Sequence, residues 1–352
     1  MGDAGYIASV VATYWFVSIS MVYLNKILMS NDDVSIPAPL FITWYQCVVT
    51  ILVCWVAGKV GEVMLKRGEV LPTNESDGFN ANKGHRGKSF FSQFPKAQYN
   101  VSVGRKVLPL SIIFVGMISF NNLCLQYVEV SFYNVARSLT IVFNVVLSRI
   151  ILGSPSSIKT LLCLSIVILG FFMGAKGEVN FTMIGTLFGI CSSLFVSLNS
   201  ILTKKVLPAV DNDHWKLTFY NNVNAMILFL PLIAYFESGP ILAGFRKQFI
   251  SPTFWAAMSV AGIMGFSIGI VTVLQIKATS PLSHNISGTA KAAFQSMLAF
   301  YIWKNPATVM GVAGMFVVLG GSLLYTIVKM REGSTTGKKP IPTSSPKQNA
   351  SA

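Results

Sequence analysis

What this sequence has little of is charge: Asp, Glu, Lys and Arg make up 11% of its 352 residues, against about 25% in an ordinary soluble domain. Carboxylates are scarcest, 13 against 27 Lys and Arg, and each falls in a loop, a tail or the end of an apolar segment. That scarcity excludes chemistries needing clustered acids within a membrane, such as a metal-dependent phosphotransferase or isoprenoid enzyme; Asp32 and Asp33 are adjacent but have no second cluster to work with. Proton coupling through a buried Asp or Glu is unsupported on the same ground, which leaves a histidine such as His284 to titrate. No GxxxxGK[ST] loop is present to cradle a nucleotide, which argues against an ATP-driven pump, and no cofactor, metal or nucleic-acid partner is expected. Runs such as "LLCLSIVILGFF" lack the alternation of a barrel strand, and that leaves helices. Cys47, Cys54, Cys124, Cys163 and Cys191 are odd in number and lie inside apolar segments, so they read as small buried residues rather than disulfides or metal ligands. The first apolar run has no basic stretch before it and is long enough to span, so it reads as a retained helix rather than a cleaved signal.

What is abundant is apolar sequence. Ten segments, near 6–29, 38–58, 106–127, 130–152, 157–175, 183–207, 215–236, 253–276, 280–302 and 306–328, are each about long enough to cross a hydrocarbon core of about 30 Å. The predicted fold class is therefore all-α, a polytopic membrane protein with ten transmembrane helices. Placing both termini in the cytosol puts 20 of the 27 Lys and Arg on that side and five opposite, the asymmetry that orients membrane proteins. Topology thus accounts for the net charge of +14. Residues 59–105 read as a polar cytosolic loop and 329–352 as a disordered cytosolic tail. Set side by side, "LQYVEVSFYNVARS" (125–138) and "LQIKATSPLSHNISGTAK" (274–291) each leave one span, turn, and meet a cation in the next, on opposite sides of the membrane. This predicts two inverted five-helix repeats, 1–182 and 183–328.

Two cations remain inside apolar segments. Arg137 shares a helical face with Tyr133, Thr140 and Asn144, and Lys291 with His284, Gly288 and Gln295. A lysine at the centre of a spanning helix costs about 2.5–3.5 kcal/mol, so something must stabilise it. With no acid available, the missing negative charge reads as the ligand, a nucleotide or other phosphorylated anion. The competing reading is that either cation snorkels to an interface or caps helix carbonyls. Asn221, Asn222 and Asn224 crowd one turn of another segment. Amides can satisfy a guanine edge, and they can equally serve as glue between helices.

"FYNN" (219–222) and "SGTAK" (287–291), with "SISMVYLNK" (18–26), "FNNLCLQYV" (120–128), "FYNVARSLTIVFNV" (132–145) and "KVLPAVD" (205–211), carry a resemblance over nearly the whole chain. It is to the nucleotide-sugar transporters of the drug/metabolite transporter superfamily, in their GDP-sugar branch. The resemblance implies that Asn221 and Asn222, beside Tyr220, hold guanine, and that Lys291 holds the diphosphate with Ser287 and Gly288. It further implies base-side contacts from Ser283 and His284, and an anion site completed by Arg137 with Tyr133 and Asn134. GDP-mannose carriers usually read GALNK where this chain reads SGTAK, so the activity implied is import of GDP-fucose into the Golgi lumen in exchange for GMP. That exchange would supply lumenal fucosyltransferases. Another nucleotide sugar, GDP-mannose-like, or a sugar phosphate is the alternative cargo. Membrane lipids are the expected surroundings and a homodimer a conceivable assembly. A membrane scaffold or channel is the reading from a different class, but a channel needs a continuous polar pore, whereas the polar residues concentrate on two spans per half.

Overall fold

The computed structural model describes residues 3–30, 36–66, 98–153, 157–178, 182–244, 248–279, 281–303 and 308–336. Asp32 and Asp33, the middle of the 59–105 segment, Arg246, Lys247, Lys304 and the tail beyond residue 336 lie outside the described residues. The chain folds into α1 (Asp3–Ser30), α2 (Pro39–Lys66), α3 (Val101–Tyr127), α4 (Val130–Leu152), α5 (Ile158–Lys176), α6 (Met183–Val206), α7 (His214–Phe236), α8 (Ser238–Gly244), α9 (Pro252–Ala278), α10 (Pro281–Trp303) and α11 (Val309–Thr336). A 3₁₀ turn, Leu207–Val210, joins α6 to α7, and no strand occurs among the described residues.

Nine of these helices are long and apolar enough to cross a membrane, so the protein is an all-α polytopic membrane protein. The helix missing from that set of expected spans is α10. It has 23 residues, but Ser283, His284, Asn285, Ser287, Lys291, Gln295 and Ser296 take places where apolar side chains would otherwise stand. Three helix ends also differ from expectation. α2 runs on to Lys66 and α3 begins at Val101, so both margins of the 59–105 loop are helical. α11 continues to Thr336, so residues 329–336 are helical rather than disordered.

Local chemistry sets the helix ends. Asn100 accepts from the Ser102 amide to start α3, Ser157 from Thr160 to start α5, and Asp213 from Trp215 and Lys216 to start α7. Gly153, at φ 63°, closes α4 in the left-handed conformation. Glu237 caps a helix not its own: its two carboxylate oxygens accept from the Leu40 and Phe41 amides at the start of α2, both at 2.8 Å. This accounts for a carboxylate that is only 5% exposed, because helix N-terminal amides favour an anion.

Contacts between helix ends define two faces of the bundle. Ser157, at the start of α5, donates to Glu332 near the end of α11; this face, which carries the start of α1 and the end of α11, is the terminal face. Thr308 donates to the Gly177 carbonyl at the opposite, distal face. There Lys26, at the end of α1, donates to the carbonyls of Leu125 and Val128 at 2.5 and 2.9 Å. The core contacts follow a repeated pattern. α3 packs on α6 and α7, as α9 packs on α1 and α2; α4 packs on α5, as α10 packs on α11. α2 with α7, α4 with α10 and α5 with α11 form the remaining pairs of corresponding helices. α5 and α11 approach most closely: a Cβ on Gly170 would lie 2.7 Å from the Val318 backbone nitrogen, so only glycine permits this backbone contact.

Candidate functional site

α1, α4, α9 and α10 bring their polar side chains together in the bundle interior. Lys291 Nζ donates to Ser18 Oγ at 2.6 Å and stands 5.6 Å from the Tyr14 ring centroid. On the same face of α10, Ser287 Oγ accepts from Trp15 Nε1 at 2.9 Å and from Gln275 Nε2 at 3.0 Å. The Gln275 carbonyl oxygen lies 2.8 Å from His284 Nδ1, and the His284 ring meets Tyr14 edge-on with centroids 5.0 Å apart. Gly288 leaves space beside them: a Cβ there would find nothing nearer than the Tyr14 hydroxyl, at 4.0 Å.

Arg137 forms the second pole. One of its terminal nitrogens donates to the Tyr133 hydroxyl at 2.7 Å, one turn away on α4. That hydroxyl donates to Asn121 Oδ1 of α3 at 3.4 Å, and Ser192 Oγ of α6 donates to the same oxygen at 2.5 Å. Protein surrounds Arg137, yet its side chain is accessible, so it faces an interior space rather than packed core. Its charge reaches both Lys291 and Tyr14. Among the described residues neither cation has a carboxylate partner; ion pairs such as Lys216–Asp211 and Lys329–Glu332 lie outside this site. Carbonyl capping, the competing use of a membrane cation, is found at Lys26 instead.

The asparagines of α7 divide into separate roles. Asn224 is structural: its carbonyl oxygen accepts from the Tyr99 hydroxyl at 2.7 Å, and its amide nitrogen donates to Gly104 O at 2.9 Å and Ser111 Oγ at 3.2 Å. Tyr220 is similarly committed, receiving the Asn100 amide and donating to the Gln98 carbonyl, both at 3.1 Å. Asn222 spends its nitrogen on the Thr218 carbonyl, at 2.8 Å, one turn back on α7. Asn221 is 8% exposed, and its buried carbonyl oxygen has no hydrogen-bond partner among the described residues. A buried acceptor left unpaired costs about 1–3 kcal/mol, which marks Asn221 as available to a ligand donor.

Of the residues singled out in the sequence, Lys291, Ser287, Gly288 and His284 therefore converge, and Arg137 and Tyr133 pair with each other on α4. Asn134 lies where α4 meets α10, donating to Ser296 Oγ at 3.0 Å and accepting from Gln295 Nε2 at 3.5 Å, on the face of α10 that carries Lys291. Asn221, Asn222 and Tyr220 sit on α7, which packs on α2 and α3, and no hydrogen bond described joins them to the cations. The Ser283 side chain lies outside what the structure describes.

Sequence reasoning missed Tyr14, Trp15 and Ser18 on α1, Gln275 on α9, and Asn121 and Ser192. One signal was present for two of them. Asn121 precedes Tyr133 by the same interval that separates Gln275 from Ser287, twelve residues, and each amide bonds to the hydroxyl one turn before a cation. The sequence comparison had instead set Gln126 beside Gln275, and the hydrogen bonds move that correspondence to Asn121.

The model of the Triose-phosphate Transporter family matches residues 6–326, almost the whole helical bundle. The chain belongs to the triose-phosphate transporter family. Membership makes it a transporter rather than an enzyme. "GDP-fucose transporter 1" of Monosiga brevicollis is 46% identical over 93% of this chain and 91% of its own length. The protein of the same name from Mus musculus is 45% identical, over 95% and 86%. "GDP-fucose transporter, Golgi" of Drosophila melanogaster is 40% identical, over 92% and 90%. A solved crystal structure, 14% identical with a TM-score of 0.50 and covering 91% of this chain and 99% of its own, shares the fold of this transporter.

Proposed function

We propose that this chain carries GDP-fucose into the Golgi lumen in exchange for GMP, with both termini and the terminal face in the cytosol. One observation carries the reading: Arg137 on α4 and Lys291 on α10 stand on two helices joined by the Asn134–Ser296 hydrogen bond inside a membrane bundle, and neither has a carboxylate partner among the described residues. Two like charges held this way lack a counter-ion, and a phosphorylated ligand supplies it. The relatives carry the choice of cargo, since those named above are called GDP-fucose transporters. In this reading Lys291, with Ser287 and Gly288 beside it, receives phosphate, and Asn221 and Asn222 receive guanine.

The bundle works by alternating access between two inverted repeats, α1–α5 and the set α6, α7, α9, α10 and α11. The repeated contact pattern supports this division. Repulsion between the unliganded cations opposes movement of the empty carrier, which favours exchange over leak. The test is uptake of labelled GDP-fucose by proteoliposomes loaded with GMP, beside GDP-mannose, UDP-galactose and a triose phosphate. Stimulation of GDP-fucose uptake by internal GMP supports the proposal. Equal uptake without internal nucleotide, or preference for the triose phosphate, defeats it.

A further inference from the structure

The two cations differ in depth and in support. Counted at about 1.5 Å per residue from the Asn134–Ser296 hydrogen bond that joins α4 to α10, Arg137 lies about 4.5 Å and Lys291 about 7.5 Å toward the terminal face, so Arg137 is the deeper cation, while Asn221 stands two turns in from the start of α7 at that face. This order follows the connectivity of a nucleoside diphosphate, in which the base comes first, then the first phosphate, then the second. Lys291 offers a compact ammonium, which holds phosphate as a point charge. Arg137 offers a planar fork of five N–H groups, of which one is given to Tyr133 among the described residues. The fork's direction is fixed through that hydroxyl by Asn121 from α3, which Ser192 from α6 holds in turn. Three helices thus aim one guanidinium at the interior space.

We propose that Arg137 reads the second phosphate of a nucleoside diphosphate while Lys291 holds the first, and that Tyr133 and Asn121 are positioning residues for Arg137. The assignment rests on the transport reading above and adds the discrimination within it. A nucleoside monophosphate engages Lys291 alone, whereas a diphosphate, with or without a sugar, engages both cations. The carrier therefore tells its incoming cargo from its outgoing product at Arg137.

The test is competition by GMP, GDP and GDP-fucose against labelled GMP on the purified full chain, in wild type, Arg137→Lys, Tyr133→Phe and Lys291→Ala. Arg137→Lys should weaken GDP and GDP-fucose by about tenfold or more, since a charge-assisted contact of about 1.5–3 kcal/mol is at stake, and should change GMP by less than about threefold. Tyr133→Phe should move the GDP-to-GMP ratio the same way but less, an effect that mere loss of folded protein would not produce. Lys291→Ala should weaken all three ligands together. Equal losses for GMP and GDP in Arg137→Lys would overturn this assignment while leaving the transport reading in place. Wild-type protein that binds neither GMP nor GDP-fucose would sink that reading, and this one with it. Should Arg137→Lys not fold, an unchanged ratio in Tyr133→Phe overturns the assignment and a shifted one supports it.

Discussion

α4 and α10 hold corresponding places in the contact pattern, each bearing a cation one turn after a hydroxyl, yet they are seated differently. α4 is packed extensively on α6: the Gly189 backbone closes on the Ala136 methyl, Ser193 donates to the Ala136 carbonyl at 2.7 Å, and Ser197 donates to Asn144 at 2.8 Å. α10 meets α1, the counterpart of α6, mainly through side-chain tips. Lys291 reaches Ser18, Trp15 reaches Ser287, and the Tyr23 hydroxyl reaches the Gln295 carbonyl at 2.6 Å. Backbone-level packing fixes a helix firmly, whereas polar tips can be exchanged for ligand atoms at small net cost. The difference teaches that α4 serves as frame and α10 as the element whose contacts a ligand can replace.

The sharpest way to break this comparison is Lys291→Ala. GDP-fucose exchange in proteoliposomes should fall to background, while thermal melting in detergent should hold or rise slightly, because the change removes a buried charge that has no acid partner. Exchange at wild-type rate would leave α10 with no special part. Next comes a contrast within α7. Asn224→Ala strands the Tyr99 hydroxyl, the Gly104 carbonyl and Ser111, and should destabilise by about 2–3 kcal/mol. Asn221→Ala removes an acceptor that already lacks a partner, so denaturation should be nearly unaffected while GMP and GDP weaken together by about 1–3 kcal/mol and UDP barely changes. A double Asn221→Ala, Asn222→Ala variant that still preferred GDP to UDP would return both residues to a packing role.

Gly288→Ala sharpens the comparison at smaller scale. The added methyl meets no atom closer than 4.0 Å, so folding should be untouched. It intrudes on the space beside Lys291, and GDP-fucose affinity should drop by about threefold to tenfold, a methyl-sized misfit being worth about 1 kcal/mol. Unchanged affinity would place the ligand elsewhere. The smallest effect lies at the distal end, outside the spans, where the Glu178 carboxyl is pushed up to about 7, first by burial and then by Glu129, against the pull of Lys26. The folded state therefore binds more protons than the unfolded one between about pH 4.5 and 7, and stability falls as pH rises through that window. Melting should occur about 1–3 °C higher at pH 5.5 than at pH 7.5, and Glu178→Gln should flatten that slope. A slope of the opposite sign would discount the burial of this carboxyl.

Much of this could be read without coordinates. The ten apolar runs located every long helix, and the placement of the acids left Arg137 and Lys291 without partners in the sequence. α10 was the exception in apolarity, because the residues that make it functional are those that make it polar. Residue type and spacing alone could not tell Asn221 from Asn224. They are three residues apart on one helix, and only the neighbours that α3 and the 98–100 segment bring to Asn224 separate a structural amide from a free one. Sequence by itself determined that the chain enters a membrane as helices and carries cations there, since hydrocarbon forbids unpaired backbone and penalises charge whatever the packing. Tertiary structure alone decided which polar groups are consumed by the fold and which remain to meet a ligand. Hydrogen-bond partners such as Trp15, Ser18, Asn121 and Gln275 come from distant helices, and their directions are set by packing rather than by local pattern.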